Sequence, residues 1–354
     1  GLVWEHYYGG EALADAISQT SLCAVVAPTL QDLDGPGKDR WEENLELTLK
    51  LADPAWQARG IYSALGPHAT DTVSATLWER VRHLANTHEL PVHAHVAQSI
   101  EEYERAAERH GTSPVGWLDT LGLLDEDGGA PSFLMVHAIF MSDADLATLD
   151  PARHALGFCP YSQLIFGFPA DVTRWEAHGL PWYVATDAAA SNDSMNLQKE
   201  MRHIAGLRTV EASSHPDYRR FASSGALEDA RNANNARQDT HRQREALATD
   251  EALLSRVFSI PGALHPSFRA GTIAPGALAN LIVWDTAHPS MWPGLHPLRT
   301  IAMGDTTDAI WNMMARGEWV SEGGNYHRAL TTSPDYLDAH QEATARLTAL
   351  LARL

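Results

Sequence analysis

The sequence predicts an α/β protein: a (β/α)8 TIM barrel whose first strand is missing from this chain, a small β-sandwich domain and a C-terminal helix. Three observations predict it. Short apolar runs alternate with longer segments of helical period, and parallel strands need connections of that length. Seven such units follow one another, which suits an eight-stranded barrel short of one strand better than an open sheet. From residue 268 onward the texture changes to alternating apolar and polar residues with Gly and Pro turns, the pattern of antiparallel strands. The expected limits are 1–267 for the barrel, 268–330 for the β-sandwich and 331–354 for the terminal helix.

The strand-sized runs are LVWEHYY (2–8), LCAVVAP (22–28), GIYSALG (60–66), LPVHAHVA (90–97), SFLMVHAI (132–139), ALGFCP (155–160) and LPWYVAT (180–186). Between them lie segments such as ENLELTLKLA, TLWERVRHLA, EEYERAAERH and SMNLQKEMRHIAGL, each with apolar residues at helical spacing. The polar stretch 209–249 follows the last unit and is expected to lie over or beside the barrel mouth. The tail PDYLDAHQEATARLTALLARL (334–354) has helical spacing and is expected to dock on the body of the protein.

Composition narrows the function classes. With 26 Lys and Arg against 45 Asp and Glu, the formal charge is 26 − 45 = −19, which repels a nucleic-acid backbone. No run approaches the roughly 20 apolar residues of a membrane span, and no charged-then-apolar leader opens the chain. The two cysteines, Cys23 and Cys159, sit in apolar runs and read as reduced buried thiols. A cytoplasmic protein is expected, with no membrane or nucleic-acid partner and self-association left open. The abrupt start in a strand, without Met, suggests that the barrel's beginning lies upstream.

In a parallel barrel the C-terminal strand ends form the active face. There the sequence places His6, His68, the pair His93 and His95, His137, Cys159-Pro160-Tyr161-Ser162, and Asp187. Residues i and i+2 of a strand share a face, so His93 and His95 both point into the mouth. Neutral imidazole and carboxylate suit Zn²⁺ or Fe²⁺, and a metal with an open position brings its water toward ionisation near neutral pH, supplying a hydroxide nucleophile. Asp187 then accepts a proton, and a neighbouring His polarises the substrate.

The order HAHVAQ, LMVHAI, GFCPYSQ, VATDAAASND, then APGALANLIVWD and ARGEWV, resembles the amidohydrolase superfamily in its triazine hydrolase, guanine deaminase and S-adenosylhomocysteine deaminase branch, over residues 1–320. The resemblance implies a metal-dependent barrel acting on a C–N bond of a small heterocyclic substrate, by deamination or by amide or ring hydrolysis. It implies one divalent ion, Zn or alternatively Fe, held by His95 and Asp187. His137 contacts substrate or water, Asp187 is the base, and His68 and Ser162 bind substrate.

Three departures qualify this. The family's first-strand His-x-His pair has no counterpart here. Gln98 stands where deaminases of this branch carry Glu, so the third catalytic candidate can hydrogen-bond a substrate but not shuttle a proton. Phe158 and Gln163 replace polar residues near the Pro-x-Ser-Asn motif. A different class of reading is therefore a truncated or degenerate barrel that binds ligand without turning it over. A sugar-phosphate barrel is disfavoured by the scarcity of Lys and of a Gly-rich phosphate loop.

Overall fold

The computed structural model describes residues 1–353 other than 126, 168, 215–219, 221, 236–246, 322 and 324–329. Among the described residues its body holds seven parallel strands of three residues or more, β1 Leu2–Glu5, β2 Cys23–Val26, β3 Ile61–Ser63, β4 Val92–Val96, β5 Phe133–His137, β6 His154–Phe158 and β7 Trp182–Val184, and the two-residue segments Thr29–Leu30 and Gly66–Pro67, beyond the ends of β2 and β3, pair with each other in parallel. Each of the seven pairs with its neighbour in chain order. Ladders join β1 to β2 to β3 and β4 to β5 to β6 to β7. The continuation of β3 closes the gap, since His93 N donates to Leu65 O and His95 N to His68 O, both at 2.9 Å. This is the TIM-barrel-like α/β arrangement expected.

Alternation along the strands divides the core in two. On β4, Val92, Ala94 and Val96 pack outward with Trp78, Val81 and Ala85 of the helix Ala75–His88. On β2, Ala24 and Val26 face Ala14 and Ile17 of the helix Gly10–Ser18, while Cys23 and Val25 face inward with Tyr62. Trp4 of β1 touches Leu134, Ala155 and Tyr183 of β5, β6 and β7, so the first and last strands share one interior. Burying such side chains contributes about 1.5–3 kcal/mol for each large one, before the cost of ordering them.

After the barrel comes one antiparallel sheet: β8 Leu281–Trp284, β9 Ile310–Ala315 and β10 Glu318–Trp319. Arg316 and Gly317, both at positive φ, make the tight turn between β9 and β10 that suits the twist of the flanking strands. The expected antiparallel texture is there, as a single three-stranded sheet among the described residues rather than two facing sheets. The helix Pro334–Leu351 also forms, capped by Ser333, whose hydroxyl accepts from Tyr336 N. It does not dock as expected: it buries no residue, and Leu337, Leu347 and Leu350 are each more than half exposed. Its Ala- and Leu-rich composition favours helix locally, without help from packing.

Of the stretch 209–249, residues 215–219, 221 and 236–246 lie outside the described residues. Residues 209–214 end the helix Leu197–Ser214, and 222–235, helical over 227–235, are largely exposed. No helix among the described residues is long and apolar enough to cross a membrane.

Candidate active site

The alternation that builds the core also aims the polar strand ends. His6 follows the inward register of Leu2 and Trp4, Cys159 that of Ala155 and Gly157, and Asp187 that of Tyr183 and Ala185. His93 and His95 both turn away from the helices, as their spacing predicts. His137 is the exception. It has the register of outward-packed Phe133 and Met135, and reaches the mouth because its own φ is 76° and that of Ala138 is 49°. Asp187, at φ 59°, and Ala97, at φ 54°, are bent in the same way. Left-handed backbone at non-Gly residues costs of order 1–3 kcal/mol and gathers where a side chain must be re-aimed.

Four imidazoles meet above β1 to β4. The His6 ring stacks on His95 at 4.8 Å between centroids and lies 5.2 Å from His93, while His68 and His95 are 5.0 Å apart. His95 in turn stacks on His137 at 5.5 Å. Burial, reinforced by the neighbouring imidazoles, holds His6 well below the ordinary histidine range, His68 and His137 at about 4 and His93 at about 3. Burial also lowers His95, opposed by the His68 carbonyl and the Asp187 charge. These rings are neutral at neutral pH, as a metal ligand or a neutral polarising group must be.

The hydrogen bonds fix which nitrogen is free. His95 Nδ1 donates to His68 O at 3.0 Å, leaving Nε2 as a lone-pair donor toward the mouth. His6 Nε2 donates to Gly66 O at 3.0 Å, and its buried Nδ1 has no hydrogen-bond partner among the described residues. Asp187 Oδ2 accepts from Ser162 Oγ at 2.6 Å and Oδ1 from Ala188 N at 2.7 Å, so the carboxylate is oriented from two sides. A neutral imidazole with a free nitrogen beside an oriented carboxylate fits a divalent cation. The tightest donor set among the described residues is His137, Cys159 and Asp187, whose ligand atoms lie within 4.8 Å of one another.

Buried carboxylates brace the loops around this centre. Glu200 accepts from Tyr161 N at 3.0 Å and from Asn192 Nδ2 at 2.9 Å, tying the β6 loop to the β7 loop. Glu102 accepts from Thr70 Oγ1 at 2.6 Å and Gln98 N at 2.8 Å, tying the β3 loop to the β4 loop. Burial raises its pKa to about 7.

The chain matches one large group of proteins. The Amidohydrolase family matches residues 2–321. The chain belongs to the amidohydrolase family. Within that family it is 23% identical to a 5'-deoxyadenosine deaminase of Methanopyrus kandleri, over 97% of this chain and 71% of that protein. It is 24% identical to a 5-methylthioadenosine/S-adenosylhomocysteine deaminase of Aquifex aeolicus, over 91% of this chain and 66% of the relative. Among solved structures, a Xanthomonas campestris adenosine deaminase with bound zinc superposes with a TM-score of 0.72 at 22% identity, covering 90% of this chain and 65% of that one. A triazine hydrolase superposes with a TM-score of 0.74 at 14% identity, over 97% and 72% of the two chains. This amidohydrolase chain therefore spans roughly two thirds of the proteins it matches.

The structure brings His68, His95, His137, Asp187 and Ser162 into one mouth, with half-buried Gln98 on the loop after β4. Ser162 is fully buried, and its hydroxyl is hydrogen-bonded to Asp187 and Ser191. Residue-by-residue reading missed Glu102 and Glu200, whose helical settings resemble those of any solvated carboxylate. Cys159, placed at a strand end and read as a reduced buried thiol, follows the inward register of β6 and is fully buried.

Proposed function

We propose that this chain carries the catalytic barrel of a metal-dependent hydrolase that opens a C–N bond of a small nitrogen heterocycle. The named relatives, deaminases of adenosine-type compounds, support an aminopurine or a related ring as the substrate class. The observation that carries the reading is the convergence of a neutral His95, a neutral His137 and a doubly oriented Asp187 at the C-terminal strand ends. It argues against a degenerate barrel that only binds.

His95, through Nε2, and Asp187 would hold one divalent ion, zinc or alternatively iron. When bound, such an ion supplies a water that ionises near neutral pH. Asp187 takes the proton of the attacking water, its carboxylate kept in place by Ser162 Oγ–H and Ala188 N–H. His137, neutral, hydrogen-bonds the atom on which negative charge develops. Gln98 orients a ring nitrogen or amide without transferring a proton, and His68 lies where it can touch the same ligand. Limits of 1–267 for the barrel, 268–330 for the small β domain and 331–354 for the terminal helix complete the proposal.

Ammonia release and ring opening by the full-length protein, on aminopurines, triazines and cyclic amides, test it. Asp187→Asn is expected to lower kcat/KM on the order of 10²–10⁴-fold or more, with metal content reduced in His95→Ala. Unchanged turnover in Asp187→Asn overturns the reading. Gln98→Glu restores a proton shuttle and is expected to raise ammonia release, because expelling ammonia requires protonating the departing nitrogen. Fast deamination by the wild type, with no gain in Gln98→Glu, shows that another residue delivers that proton.

A further inference from the structure

We infer that His137, Cys159 and Asp187 form a second cation position, specific for thiophilic divalent ions such as Cd²⁺ or excess Zn²⁺, beside the one assigned to His95 and Asp187. The binding stands on geometry alone. Its inhibitory consequence rests on the roles proposed for Asp187 and His137, which an ion there would occupy.

The three ligand atoms already lie within 4.8 Å of one another, and tetrahedral zinc with sulfur and nitrogen ligands needs donor separations of about 3.5 Å. Side-chain adjustments of an ångström or so close the difference. The strand register turns Cys159 inward, and it opens the helix Pro160–Ile165. Its thiol is fully buried beside the Asp187 carboxylate. An ion bound there takes the sulfur as thiolate, and the Cys159 proton leaves to solvent as the metal–sulfur bond forms.

Sulfur and imidazole select soft and borderline ions; Mg²⁺, which takes oxygen ligands, does not compete.

The test is cadmium content and the thiolate-to-cadmium charge-transfer absorbance of the purified full-length protein titrated with Cd²⁺. The wild type is expected to take a second equivalent as the band appears, with loss of turnover. Cys159→Ser loses that equivalent and the band, and His137→Gln loses the equivalent while retaining the thiol. Cys23→Ser keeps both, and His95→Ala loses the first equivalent but keeps the band. Circular dichroism and melting verify that each variant is folded. The inference is overturned by a band that survives Cys159→Ser, by no band in the wild type, or by a single equivalent whose band disappears in His95→Ala. A first equivalent indifferent to His95→Ala counts instead against the proposed function.

Discussion

Glu102 shows how one buried carboxyl outside the reaction shapes the site. It holds the backbone of Gln98 and the hydroxyl of Thr70, yet burial raises its pKa from 4.5 to about 7. The folded state therefore keeps a proton that the unfolded chain releases. The stabilisation is complete below about pH 4.5 and is lost as pH rises to about 7, a change on the order of 3 kcal/mol. Denaturant titrations at several pH values are expected to show Glu102→Gln stable relative to wild type by a margin that grows over that window; a pH-independent difference contradicts it. Residues whose aim follows simple alternation, His95 and Asp187 among them, were legible in the sequence. His137 was legible as a polar strand-end residue, but its strand register points outward, and the two left-handed residues that bring it in have no signal in the sequence. Ser162 was legible as a strand-end polar residue, whereas its bond to Asp187 Oδ2 joins loops 25 residues apart in sequence and has no local signal.

Elements read more easily than side chains. All seven parallel strands were visible as apolar runs, because both faces of a barrel strand are covered and periodicity needs no tertiary context. The appended region was less legible. Its Gly and Pro turns foretold antiparallel strands, but the number of strands depends on contacts distant in sequence. Where a helix stops is also local, and it yields a prediction. The helix Ala75–His88 ends on Glu89, an exposed residue at φ 52° that ties its N–H to Ala85 O. A side chain in that left-handed cap costs about 1 kcal/mol, which glycine avoids. Glu89→Gly is thus expected to stabilise the protein by about 1 kcal/mol, read as a higher denaturation midpoint at unchanged slope. An unchanged or lower midpoint shows that the strain is absorbed elsewhere.

At the scale of the whole molecule, buried histidines decide the response to acid. His265 donates to Ser63 O across 202 residues of sequence at 3.1 Å, pinning the segment after the barrel to β3. His154 accepts from Asp150 N at 2.8 Å, and His93 packs against Trp4 and His6. Burial lowers these three from 6.5 to about 4, about 4 and about 3. A depressed histidine pKa means that the unfolded chain binds protons which the folded chain refuses, so stability is full above pH 6.5 and falls as pH drops toward 4. Each group contributes on the order of 3 kcal/mol over that window. Glu102 acts in the opposite direction, one group against these three, and the lowered rings His6, His68, His95 and His137 add to the three. Near pH 5.5 unfolding should therefore take up roughly two protons net from Glu102 and the first three rings, a slope of roughly 3 kcal/mol per pH unit. Urea titrations of metal-free protein from pH 7 to pH 5 are expected to show the midpoint falling steeply below pH 6.5, with His265→Gln reducing the slope by the share of one proton. Stability that stays level between pH 7 and pH 5 means that these rings gain acceptors on protonation, and that the neutral array at the barrel mouth is not what acid disrupts.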